Sequence, residues 1–246
     1  MSGHSKWSTI KHKKGAADAK RGRLFTKLIK EITMSAKVGG GIVESNPRLR
    51  SAVLAAKKAS MPSDNIDKAI KRGTGELEGV TYEELTYEGY GPGGAALLIE
   101  VMTDNKNRTA SEVRHILTKY GGNMAASGAV AFQFSKKGVI AVEKTAAKED
   151  VLMELALESG AEDFKTEDSD VFEILTDPAS FEAVKAAVEA KNIAVQTAEI
   201  QMVPQSTIDV GDKGPALIKL LEMVEDNDDV QKVWSNGDID EKYLQE

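Results

Sequence analysis

Gly89, Gly91 and Gly94, in the stretch GYGPGG (89–94), have the spacing G-x-G-x-x-G, and glycines so placed let a backbone close around a pyrophosphate. That chemistry needs a strand before the loop and, after it, a helix whose N-terminal amides hold the phosphate. Here Pro92 sits inside the loop and the apolar run AALLIEV (95–101) follows, which reads as a buried strand. The segment is therefore expected to be a Gly/Pro turn joining two strands. His4, His12 and His115 are far apart in sequence, lack H-E-x-x-H spacing and have no cysteine to help them, so they form no metal constellation. The lack of cysteine also removes disulfides, iron–sulfur clusters and thiol nucleophiles, and it fits a reducing compartment. G-x-S-x-G, P-loop and zinc-deaminase patterns do not occur. Glu88, Asp104 and Glu112 are the carboxylates that could still meet across space. No catalytic residue, cofactor, metal or small-molecule substrate is expected, and the chain reads as non-enzymatic.

Charge is more informative than any of these motifs. The 246 residues carry a formal net charge of -7. Residues 1–75, however, hold 17 Lys+Arg against 5 Asp+Glu, a net of +12, and the remaining 171 hold 15 against 34, a net of -19. A basic module joined to an acidic body suits a polyanionic partner for one end, with the body repelled from it. The expected phosphate contacts come from Lys6, Lys11, Lys13, Lys14, Arg21, Arg23, Lys27, Lys30, Arg48, Arg50, Lys57, Lys58, Lys71 and Arg72, with Trp7 as an aromatic contact. About six such contacts on a duplex would give a log–log salt slope near -5. Base reading is weakly supported, since the basic module has only Trp7 and Phe25 as aromatics and Phe25 lies in an apolar stripe. No apolar run approaches the roughly 20 residues that span a bilayer, and no signal-peptide core is seen at the start, so a cytoplasmic protein with no membrane partner is expected.

The elements that would carry these cations follow from periodicity. Phe25, Leu28, Ile29, Ile32 and Ala36 form a helical stripe over 20–37, ended by VGGG (38–41). Asn46 and Pro47 open a second helix with Leu49, Val53 and Ala56 inward, and Ser63 or Asp64 caps a third that Gly73 stops. After Gly79 the period changes: a strand over 95–104, a helix from Arg108 to a Gly stop at 121, and an alternating strand AVAFQF at 129–134. From Gly138 to Val203 the order is strand, helix, strand, strand, helix, strand, which is the ferredoxin-like βαββαβ pattern. The remaining helix and strand at 211–236 are too little to fold alone and are expected to rejoin the earlier sheet. The fold class is α+β: a basic N-terminal helical domain (1–79), a discontinuous α/β middle domain (80–135 and 205–246), and an inserted ferredoxin-like domain (136–204).

GHSKW (3–7), KRGRLFTKLIKEI (20–32), NPRLRSAV (46–53), MPSDNIDKAIKRGTG (61–75), YEGYGPGG (87–94), TDNKNRTASEVRHIL (103–117) and GGNMAASGAVAFQF (121–134) together resemble the YebC/PmpR family, which includes the mitochondrial translational activator of cytochrome c oxidase. The resemblance runs the whole chain in order. It implies three domains, an N-terminal helical one, a middle α/β one and a ferredoxin-like insertion. It also implies a regulator of gene expression with DNA as partner, or alternatively a factor that acts on ribosomal RNA and the ribosome during synthesis of proline-rich stretches. After GGG the family usually continues Asp-Pro, whereas Ile42 and Val43 stand here. Under the resemblance, YEGYGPGG and DNKNRT become candidate surfaces between domains or toward a partner.

Overall fold

A computed structural model describes residues 18–243, with side chains for 21–240 and 242–243. The protein is α+β, and the described residues form three N-terminal helices followed by two four-stranded sheets with helices packed on them. Helices α1 (Asp18–Gly39), α2 (Pro47–Lys58) and α3 (Ser63–Thr74) close on a core that includes Ile32, Leu49, Val53, Ala56, Ile66 and Ala69. Asn46 caps α2, its Oδ1 accepting the Leu49 N–H at 3.0 Å, and Pro47 takes the first helical position. Its Nδ2 donates to the Ser35 and Gly40 carbonyls at 2.8 and 2.9 Å, so one side chain both starts α2 and ties down the end of α1. Val43, one of the two residues standing where the family has Asp-Pro, packs against the helical core, while Ile42 is exposed.

α3 departs from expectation at both ends. Neither Ser63 nor Asp64 caps it, because Pro62 occupies the cap position with no side-chain bond. Gly73 does not stop it either. The helix runs to Thr74, and Gly75, at φ 82°, is the left-handed terminator. Gly73 meets a different need: a Cβ there would stand 2.3 Å from the Thr33 carbonyl oxygen, so its bare backbone is what lets α3 cross α1.

β1 (Glu83–Tyr90) and β2 (Ala96–Thr103) are antiparallel neighbours joined by a 3-10 turn at Pro92–Gly94, so GYGPGG is a strand-to-strand turn. α4 (Lys106–Lys119) and β3 (Asn123–Met124) follow. AVAFQF is not a strand: Ala131–Gln133 make a 3-10 turn and β4 (Phe134–Glu143) begins after it. The cause is Glu88, whose carboxylate accepts the N–H groups of Gly128, Val130 and Ala131 at 2.6, 2.6 and 2.9 Å and so takes the amides a ladder would have used. β4, α5 (Glu149–Glu158), β5 (Ala161–Lys165), β6 (Val171–Thr176), α6 (Phe181–Ala190) and β7 (Val195–Pro204) form the ferredoxin-like unit, an antiparallel sheet in the order β5-β6-β4-β7.

The chain then returns. After β8 (Ile208–Asp209), α7 (Gly214–Glu225) packs beside α4 on the first sheet, burying Leu217, Leu220 and Leu221 against Leu97, Ile99 and Leu117. β9 (Val230–Ser235) pairs antiparallel with β2 to complete the order β3-β1-β2-β9, and β10 (Gly237–Asp238) pairs with β8. The opposite face of that sheet, Ala96, Leu98 and Trp234, packs on Val130, Phe134 and Met202, which links the two sheets through a continuous apolar cluster. Among the described residues no helix is long and apolar enough to cross a membrane.

Candidate nucleic-acid interface

Of the residues expected to contact phosphate, Lys6, Lys11, Lys13 and Lys14 lie outside the described residues, as does Trp7. The other ten divide between two sides of the helical module. Arg23, Lys27 and Lys30 recur at i, i+4 and i+7 on α1, the spacing of one helix face. That face meets the loop Glu225-Asp226-Asn227-Asp228-Asp229 of the acidic body. Arg23 lies 3.3 Å from the Asp226 carboxylate, and Lys27 Nζ donates to the Glu225 carbonyl at 2.6 Å.

Lys30 is a correction to the expected set. It is 6% exposed, and its Nζ donates to Asp229 Oδ1 at 2.6 Å and to the Asp228 and Met102 carbonyls at 2.8 and 3.3 Å. Three ammonium protons on three protein oxygens leave nothing for a phosphate. Asp229, itself buried, is the centre of the contact: its Oδ2 accepts from Thr109 at 2.6 Å, Arg108 at 2.8 Å and Thr103 at 3.1 Å. Burial alone would raise the Asp229 pKa, but hydrogen bonds from Arg108, Lys30 and Thr109 outweigh it and hold the carboxyl well below the usual range. The segment DNKNRT is thereby explained as a joint between units. Asn105 caps α4 through the Arg108 N–H, and Arg108 reaches both Asp104 at 2.7 Å and Asp229.

Arg48 belongs to the same inner side. It grips Glu31 of α1 through two nitrogens, at 2.7 and 3.0 Å, and also bonds Glu84 of β1. The bond to Glu31 opposes partial burial and, with Glu84, drives its pKa further up. Two residues later the helix has turned by about 200°, and Arg50 stands in solvent, with Nη1 donating to the Glu44 carbonyl at 3.0 Å. Lys57 lies two turns along from Arg50 and Lys58 beside it, with the exposed Leu54 between them. Lys57, Lys58, Lys71, Arg72 and Arg21 are exposed, and none has a carboxylate within ion-pair reach among the described residues. Lys57 and Lys58 close α2, and Lys71 and Arg72 close α3, where each offsets the helix dipole by about 0.3–1 kcal/mol while its charged head stays in water.

The carboxylates that might have formed a catalytic pair do not. Glu88 is spent on the 128–131 turn. Burial opposes its ionisation, and the backbone N–H groups of Val130, Gly128 and Ala131 outweigh that and lower its pKa. Asp104 and Glu112 flank Arg108, at 2.7 and 4.0 Å. His115 is exposed on α4. Among the described residues no three His, Asp or Glu are grouped to hold a metal ion. Asp229, Thr103, Thr109 and Arg108 carry the joint; Arg108 and Thr109 lie in the DNKNRT segment that the sequence marks as a candidate surface, whereas Asp229 and Thr103 carry no such mark. The acidic run at 225–229 opposite three cations at helical spacing was the signal that could have found them.

The N-terminal domain of TACO1/YebC proteins matches residues 5–76, and the TACO1/YebC second and third domain matches residues 82–237. A probable transcriptional regulatory protein of Desulforapulum autotrophicum is 59% identical over 245 residues, 99% of each chain. One of Koribacter versatilis is 60% identical over 247 residues, covering 100% of this chain and 99% of that one. The crystal structure of a conserved hypothetical protein from Aquifex aeolicus superposes with a TM-score of 0.82 at 47% identity, covering 93% of this chain and 95% of that one.

Proposed function

The chain belongs to the TACO1/YebC family, and from that membership we propose that it is a non-enzymatic, cytoplasmic regulator of gene expression that binds nucleic-acid phosphates through the outer side of its helical module. The relatives' names as transcriptional regulators support a regulatory role. The observation that carries the binding surface is α2 itself, on which Arg50 and Lys57 share a side directed away from Arg48, Lys58 stands about 80° round from both arginines, and all three lie beyond reach of any described carboxylate. Lys71, Arg72 and Arg21 extend the set, and Lys6, Lys11, Lys13, Lys14 and Trp7 join it on sequence grounds. The division of labour follows three units, residues 1–79, 80–135 with 205–246, and 136–204. The first supplies the phosphate contacts, and the acidic remainder sets the orientation of the bound polyanion.

A second reading, ribosomal RNA on the ribosome in place of promoter DNA, is favoured by what α2 lacks. A helix that reads a major groove presents Asn, Gln or several Arg to base edges. The outer side of α2 offers Arg50, Ser51, Leu54, Lys57 and Lys58, which suits sequence-independent phosphate contact. Reversing Arg50, Lys57 and Lys58 to Glu is expected to weaken binding to every nucleic acid tested in a filter-binding titration, and unchanged affinity ends the assignment. Sedimentation of the wild-type chain through sucrose separates the two partners: co-migration with large ribosomal subunits supports translation, and footprints at defined half-sites support transcription.

A further inference from the structure

Phe132 is 70% exposed, and it is the one aromatic side chain among residues 21–243 that stands in solvent. Its position is built rather than loose. The residues on either side are anchored, Val130 at 0% and Phe134 at 6% exposure, both in the cluster that joins the two sheets. Glu88, 5% exposed, clamps the turn through three backbone N–H groups. Gln133 is tied at both its groups: its carbonyl accepts from Gln205 N–H at 2.8 Å and its Oε1 from Asn236 Nδ2 at 3.1 Å. A 3-10 turn has three residues per turn, so fixing 130 and 133 on the inner side leaves 132 pointing outward.

A fixed, solvent-facing phenyl ring invites either a protein pocket or a flat π-face. Protein anchors sit within apolar surroundings that exclude water from the contact. Phe132 has no such company in its own segment: its exposed neighbours over 121–137 are small or polar, with Ala126, Ser127, Gly128 and the cation Lys136 among them. We propose that Phe132 is a stacking platform for one unpaired nucleobase of a bound single strand. This rests on the nucleic-acid reading above and deepens it, because the helical module supplies phosphate contacts and this turn supplies the one described aromatic ring that stands fully in solvent. A base in a duplex has both faces covered by its neighbours, so the platform selects unpaired nucleotides.

The test is a fluorescence-anisotropy titration of the full chain with a labelled single-stranded RNA of about 12 nucleotides, the same sequence as DNA, and the RNA duplex. Phe132→Ala is expected to weaken single-strand binding between about 5-fold and about 150-fold, the span of one lost stacking contact. The log–log salt slope should not change, since no phosphate contact is lost. Duplex affinity should also hold. Phe132→Trp should restore single-strand affinity, with its added emission quenched on binding. Unfolding midpoints of both variants should match the wild type, as the ring is exposed. A larger loss on RNA than on DNA assigns the strand as RNA, and equal losses assign the base alone. Should Phe132→Ala bind single strands like the wild type while the Arg50, Lys57 and Lys58 reversal weakens them, stacking is rejected and phosphate binding stands. Should the wild type bind none of the probes at low salt, both readings fall.

Discussion

Arg48 and Arg50 are two residues apart on one helix and have opposite fates. Arg48 turns inward to Glu31 and Glu84, while Arg50 turns outward and, among the described residues, meets a backbone carbonyl and no carboxylate. The same contrast divides α1 from the end of α2: Arg23, Lys27 and Lys30 are spent on the acidic loop 225–229, and Lys57 and Lys58 face water. Net charge per segment therefore overstates what a basic module can offer a partner. Part of it is the adhesive that holds the module to its own acidic body.

The largest consequence lies at the inner side. Asp229→Ala leaves Lys30 buried without its carboxylate, and loss of one partner of a buried pair costs about 3–5 kcal/mol. Urea unfolding should read this as a shift of the first transition, and a loss within error would mean that the inner side does not hold the module. Lys30→Met should cost less, because Asp229 keeps Arg108, Thr103 and Thr109.

Acid should act on the same joint and on the 128–131 turn. Asp229 and Glu88 both have depressed pKa values in the folded protein. Their contribution is fully present above the unfolded-state values of about 4 and is lost as pH falls below them toward the folded values. Glu88→Gln removes one such titration and substitutes an amide that cannot accept all three N–H groups, at a cost of about 1–3 kcal/mol at pH 7. The variant's stability should then fall less steeply than the wild type's between pH 5 and pH 3, measured by thermal unfolding. A parallel acid limb would contradict the role given to Glu88.

Smaller effects sharpen the contrast between the two arginines. Arg48→Ala should lower stability by about 0.5–1 kcal/mol, as befits a half-exposed ion-pair network, and leave nucleic-acid affinity unchanged. Arg50→Glu should do the reverse, with stability within about 0.5 kcal/mol of wild type and weaker binding. If both substitutions weaken binding equally, the division between inner and outer sides is wrong.

Much of the fold was legible because helical and strand periodicity are local. The Phe25–Ala36 stripe, the Asn46-Pro47 helix start and the βαββαβ order all depend on neighbours within a few residues. The departures are long-range. Gly73 looked like a helix stop, and it is a crossing point dictated by Thr33, 40 residues earlier. AVAFQF alternates like a strand, yet Glu88 captures its amides from 40 or more residues away. The cations were legible as a group but not as two sides, because helix phase alone does not say which stripe meets the body. At Lys30 that choice reversed the expectation.

The central claim is that the outer cations, and not the inner ones, hold the polyanion. The direct test is the slope of log Kd against log salt concentration, measured on a long duplex for the wild type, for the Arg50, Lys57 and Lys58 charge reversal, and for Arg48→Ala. Each phosphate contact contributes about 0.9 to that slope, so the outer reversal should flatten it by about 2 to 3 while Arg48→Ala leaves it unchanged. Identical slopes for all three proteins, or a slope flattened by Arg48→Ala alone, would contradict it.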